Sequence, residues 1–90
     1  METIQTLMDS MNAQFMSQRE DLVNHFMKYG QTANHDKILD FCEELEEMRT
    51  WGEVAETLVE MELCEPYDLP YLMTIIMNDA KNVGIFFEEA

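Results

Sequence analysis

The sequence predicts an all-α protein, a compact bundle of four to five helices whose first helix is long or kinked. Three observations carry this reading. Every periodic segment fits the 3.6-residue repeat of a helix better than the two-residue repeat of a strand. The 90 residues include only three Gly and two Pro, the residue types that interrupt helices. β-Branched residues, which favour strands, are sparse outside a few short runs. Hydrophobic residues make up 47% of the chain, which is enough for a core and excludes a wholly disordered protein. Residues 1–90 are read as one domain, near the lower size limit for folding without metal or disulfides.

Residues 2–29 place Ile4, Met8, Met11, Phe15, Leu22, Phe26 and Tyr29 on one stripe, flanked by Leu7, Val23 and Met27 and closed by Gly30. Unbroken, that helix would run about 42 Å at 1.5 Å per residue. A domain with a radius of gyration of roughly 12 Å cannot cover such a rod. The stripe also lapses at Ser17–Glu20, where Ser17 and Glu20 form a capping-box pattern. Either the segment breaks near Ser17, or it stays whole and its overhang packs against a second subunit. One long or kinked helix is expected, and with it a homodimer.

Gln31–Asn34 reads as a turn with Asn34 as the next N-cap. The second helix then runs to about Met48, with Ile38, Phe41, Cys42, Leu45 and Met48 facing inward. Thr50 and Glu53 form another capping-box pattern and open a third helix carrying Trp51, Val54, Leu58 and Met61 inside. It ends near Cys64, because Pro66 disfavours helix at Glu65. Asp68 caps a fourth helix, whose first turn tolerates Pro70. Its broad apolar face comprises Leu69, Leu72, Met73, Ile76, Ala80 and Val83. Gly84 is expected to loosen or end it, leaving Ile85, Phe86 and Phe87 as an apolar tail.

Nineteen acidic side chains against five basic ones give a net charge of −14 and a pI near 4.1. That sign excludes direct nucleic-acid binding, which needs Lys and Arg at the phosphates, and repels an anionic membrane surface. The expected partner is the basic surface of another protein. Residues 36–68 concentrate the charge, with twelve acids against two bases, a net of −10. Asp36, Asp40, Glu43 and Glu47 follow helical spacing, with Glu44 and Glu46 between them, and Glu53, Glu56 and Glu60 do the same on the next helix. Neighbours at that spacing lie roughly 5–6 Å apart, comparable to phosphates along a nucleic-acid strand. A merely solvated helix face usually mixes signs, because like charges at i,i+4 destabilise. Several of these acids also stand near helix C-termini, where the macrodipole disfavours negative charge. The nine residues are therefore the candidate partner-binding set.

No catalytic residue and no cofactor is expected. The acidic run has no central Gly for an EF-hand loop. His25 and His35 lack the Glu three positions earlier that a di-iron bundle uses, so no metal site is expected either. Cys42 and Cys64 match no zinc or redox spacing and read as small buried hydrophobes. Most of the nine methionines fall at core spacing. Met1–Ser10 lacks the basic and apolar regions of a secretory signal and no apolar run approaches the length of a membrane span, so a cytoplasmic protein is expected. The function these features predict is that of an acidic, non-catalytic inhibitor or nucleic-acid mimic. The alternative is a small adaptor or oligomerisation module that binds through an apolar helical face.

Overall fold

A computed structural model describes residues 3–89. Among them are five α-helices, α1 (Ile4–Ala33), α2 (Asp36–Leu45), α3 (Trp51–Glu60), α4 (Leu69–Asp79) and α5 (Val83–Glu89), with single 3-10 turns before and after α4 and no strand.

Thr3 starts α1 from an extended conformation, its Oγ1 accepting the Thr6 N–H at 3.1 Å and so satisfying one of the four orphan donors of the first turn. The helix then passes through Ser17–Glu20 without interruption, so the expected capping box there does not form. A capping serine must leave helical geometry. Ser17 instead donates its hydroxyl back to the Gln14 carbonyl at 2.8 Å, an arrangement compatible with a continuing helix. Nor does Gly30 end α1. The end comes at Asn34, which adopts left-handed geometry (φ 54°, ψ 42°). Its N–H donates to Gln31 O and the His35 N–H donates to Gly30 O at 2.8 Å. This is the paired closure that asparagine tolerates. Gly30 is buried because α2 comes close: a Cβ there would lie 2.9 Å from Leu39 Cδ2 and 3.0 Å from Ile38 Cγ2.

With Asn34 committed to ending α1, the N-cap of α2 passes to His35, whose Nδ1 accepts the Ile38 N–H at 3.4 Å. α2 stops at Leu45, short of Met48, because Glu47 N–H→Glu44 O and Met48 N–H→Leu45 O bonds tighten its end into a turn. The Thr50 cap of α3 does form, with the return bond from Glu53 reaching one residue further back than a capping box requires. Thr50 Oγ1 accepts the Glu53 N–H at 3.1 Å, and Glu53 Oε1 reaches back to the Arg49 N–H at 3.2 Å. α3 ends at Glu60, ahead of Cys64, since Glu62 turns into left-handed geometry (φ 59°). Glu62 N–H→Val59 O and Leu63 N–H→Leu58 O bonds close it, with Leu63 and Leu58 both in the core.

Pro66–Asp68 form a 3-10 turn into α4, and Pro70 sits in the first turn as expected. Asp68 occupies the N-cap position but makes no side-chain cap bond. Its backbone is already helical (φ −86°, ψ −14°), whereas a capping side chain needs an extended backbone. The last correction concerns the chain after Asp79. A second 3-10 turn, Ala80–Asn82, breaks the helix, and Gly84 lies inside α5. Phe86 and Phe87 are therefore no loose tail: Phe87 stacks on Tyr29 (ring centroids 5.7 Å) and meets Phe86 and Phe26 edge-on. Gly84 allows this fit, because a Cβ there would sit 2.8 Å from the Tyr29 ring.

The core is one cluster alongside the C-terminal two-thirds of α1. Phe15, Leu22, Val23 and Phe26 of α1 meet Ile38, Phe41 and Leu45 of α2, Trp51, Val54 and Leu58 of α3, and Leu72 and Ile76 of α4. T-shaped pairs join Phe15 to Trp51 (4.9 Å) and Phe26 to Phe41 (5.2 Å). The molecule measures 47 × 26 × 21 Å, its long axis close to the length of α1. Ile4, Met8 and Met11, on the same stripe as Phe15, are exposed.

Two substitutions test the helix ends. Glu62→Gly should stabilise the protein by about 0.5–1 kcal/mol, since glycine adopts left-handed geometry without the steric penalty of a Cβ. The Lys37–Glu62 ion pair lost in that variant is exposed at both ends and contributes little. Thr50→Ala should destabilise by about 1 kcal/mol through loss of the cap. Urea unfolding curves read both, with shifted midpoints at unchanged slope.

Candidate functional site

The apolar periodicity of α2 and α3 decides where their acids point. Ile38, Phe41, Cys42 and Leu45 are buried against α1, so Asp36, Asp40, Glu43 and Glu44 face water. On α3, burial of Trp51, Val54 and Leu58 leaves Glu53, Glu56 and Glu60 outside. Glu46 and Glu47 are also exposed; Glu46 is the C-cap of α2, still in helical geometry, and Glu47 stands in the turn that follows. All nine candidate residues thus lie at the surface. The helices carrying them are antiparallel neighbours, and Lys37 near the start of α2 meets Glu62 just beyond α3 at 3.9 Å. Among the described residues this is the only ion pair within 4.0 Å.

Three members of the set differ from the rest in their surroundings. Glu53 is bonded into the cap of α3, accepting from Arg49 N–H and Thr50 Oγ1. At that end the macrodipole favours a negative charge. Glu46 and Glu47 face the opposite situation at the end of α2, where the macrodipole disfavours a negative charge. Arg19 of α1 offsets this, its Nη1 donating to the Met48 carbonyl at 2.8 Å. This tether between α1 and the α2–α3 turn was not anticipated from sequence. Arg19 and Met48 are 29 residues apart, and no local pattern joins them.

The second surface is apolar. Ile4 is 79% exposed, Leu7 and Met8 each 52%, and Met11 41%. They occupy three turns of α1 that project beyond the core. Where the projection meets the body, Met8, Met11 and Asn12 of α1 and Thr50, Trp51 and Gly52 at the start of α3 line a groove of about 220 Å³. Trp51 itself is only 7% exposed, so it is both a core residue and the floor of this groove.

Among the described residues, no three His, Cys, Asp or Glu side chains converge as metal ligands. Both cysteines are free. Burial and the nearby Glu46 push the Cys42 thiol up to about 11, and its Sγ–H points at the Val23 carbonyl (3.9 Å). Burial and Asp68 also raise the Cys64 thiol. Raised thiols hold little of the nucleophilic thiolate at neutral pH. The cleft beside Cys64 (about 590 Å³) is also lined by Glu62, Glu65 and Asp68, and the one beside His25 (about 380 Å³) by Lys28, Lys81 and Glu88. Among the described residues no helix is long and apolar enough to cross a membrane. Comparison of the chain with protein-family models, curated proteins and solved structures gave no match.

Two measurements test these electrostatics. Because the carboxylates are crowded and almost unpaired, raising NaCl from low to moderate concentration at neutral pH should raise the melting temperature. Relief of about 1 kcal/mol would move the midpoint of a domain this size by roughly 4–8 °C. The Cys42 thiol acts at the alkaline end. Its folded value is raised above the ordinary 9.0, so the unfolded chain loses its proton first as pH rises. Its stabilising contribution is complete below pH 9 and is lost between 9 and about 11. Cys42→Ala should flatten that alkaline decline in urea midpoints, and the Cys42 thiol should react with alkylating reagents only as the protein unfolds.

Proposed function

We propose that this chain is an acidic, non-catalytic binding protein of the cytoplasm that engages and blocks a basic surface of another protein. A surface that otherwise binds nucleic acid fits best, which would make the chain an inhibitor or nucleic-acid mimic. One observation carries the reading: nine acids on and beside α2 and α3 are exposed, with a single nearby ion pair and no metal-binding cluster among the described residues. A solvated coat does not require such an excess of one sign, which works against the fold wherever the acids sit at helix C-termini. A cationic partner turns that excess into attraction and fast, steered association. The free thiols accord with a reducing compartment.

A second reading, an adaptor or oligomerisation module, is favoured by a different observation. The exposed stripe of Ile4, Leu7, Met8 and Met11 and the groove at its base offer an apolar contact that owes nothing to charge.

The electrostatic reading is tested with the partner captured from a cell lysate and eluted by salt. Asp40→Lys/Glu43→Lys/Glu47→Lys reverses the α2 row. Glu56→Lys/Glu60→Lys reverses the α3 row while keeping Glu53 for its cap. Each set should keep the circular-dichroism spectrum and weaken binding by well over tenfold, since close interfacial charge pairs couple by roughly 1.5 kcal/mol or more. Wild-type affinity should fall steeply with salt. Affinity that both variants and high salt leave unchanged would sink this mechanism in favour of the apolar one.

A further inference from the structure

We infer that the projecting end of α1 is a self-association surface, on which two copies pair their overhangs antiparallel and each seats Ile4 in the other's Trp51 groove. The inference rests on the second reading above.

Three observations select a second copy as the occupant. The first is the distribution of charge. Between Thr3 and Gln18 the only charged side chain is Asp9, while the chain as a whole carries −14. The overhang therefore gives a basic partner almost nothing to bind. Two such acidic molecules can touch there without bringing their most acidic helices, α2 and α3, together. The second observation is length. The overhang from Thr3 to Gln14 runs about 18 Å, so overlapping two of them antiparallel holds the acidic bodies roughly two Debye lengths apart at physiological salt. A parallel pair would set the bodies side by side and align the two helix dipoles. The third is register. Antiparallel pairing about the midpoint of Leu7 and Met8 lays Ile4 of one copy across from Met11 of the other, beside the groove floored by Trp51, and sets Asp9 across from Thr6. A two-fold contact of this kind is self-complementary and closed.

Interface size predicts the strength. Three helical turns on each side cover less than the roughly 800 Å² per partner of a standard stable interface, even with Ile4 seated. The dimer should therefore form in the micromolar range.

Sedimentation velocity of the full chain from about 1 to about 300 µM at physiological salt reads the association directly. The chain's single tryptophan gives a second, local readout. Wild type should move from monomer to dimer, with Trp51 emission shifting to the blue over the same range. Leu7→Glu/Met11→Glu and, separately, Ile4→Glu should weaken dimerisation at least tenfold and leave Trp51 emission independent of concentration. Both variants change exposed residues outside the core, and an unchanged melting temperature at low concentration confirms their fold. A wild-type monomer throughout, or a dimer indifferent to both variants, overturns the inference. An apolar dye separates that failure from failure of the second reading. A monomer that binds the dye through the overhang, with binding lost in Leu7→Glu/Met11→Glu, overturns self-association and keeps an apolar docking face. A monomer that binds no dye there overturns both.

Discussion

Phe15, Leu22, Val23 and Phe26 lie on one stripe of a single continuous helix, and the shorter helices are held in place around that stripe. α2, with only ten residues, is below the length at which an isolated helix is stable in water, and so are α3, α4 and α5. Their stability comes from burying one face against α1 and against each other. Had α1 broken at Ser17, the Phe15–Trp51 contact on one side of the break and the Phe26–Phe41 contact on the other would no longer share a rigid frame. Arg19, which ties the α2–α3 turn to α1, would have lost its fixed base as well.

The parts legible in the sequence are those set by periodicity. Which residues of α2 and α3 face inward follows from apolar spacing, and the exposure of all nine candidate acids follows from that. The parts not legible depend on contacts distant in the chain. Ser17-x-x-Glu20 and Thr50-x-x-Glu53 are the same local pattern, yet only the second caps a helix. Thr50 follows the end of α2 and is free to take extended geometry, whereas Ser17 lies between Phe15 and Leu22, whose shared stripe keeps the backbone helical. Gly84 reads as a stop but sits inside a helix, because its lack of a side chain makes room for Tyr29, 55 residues earlier. Glu62 carries no signal of a helix end at all. Glycine is the residue expected in left-handed geometry, and at Glu62 the closure is set by Leu63 dropping into the core.

The densest negative charge and the exposed apolar stripe at the start of α1 lie apart along the molecule. The body carries exposed acids on α2 and α3, and the projection carries exposed Ile, Leu and Met with almost no charge. Basic residues are too few to neutralise the body, and two of the five have specific structural contacts: Arg19 with the Met48 carbonyl and Lys37 with Glu62. Ionic strength therefore acts on the two ends in different ways. Salt weakens whatever the acidic body attracts, and it leaves the burial of apolar side chains at the other end nearly unchanged.

Among the described residues no polar or charged side chain is buried, and no buried side-chain nitrogen or oxygen lacks a partner. Apart from the weak Cys42 thiol contact and the edge-on aromatic pairs, the core contains no directional contact, so its aliphatic part does not by itself distinguish one packing of these side chains from another of equal volume. The information that selects this arrangement lies at the periphery, in Thr3, Asn34, His35 and Thr50 at the helix ends and in Gly30 and Gly84 where neighbouring elements come close. Cores of this kind accept volume-conserving exchanges such as Leu for Met or Ile with modest loss. The interior of this protein thus accepts such exchanges, while its caps and close contacts select the arrangement. Relatives that diverged from a common ancestor would keep the pattern of caps and close contacts longer than the identity of any core residue.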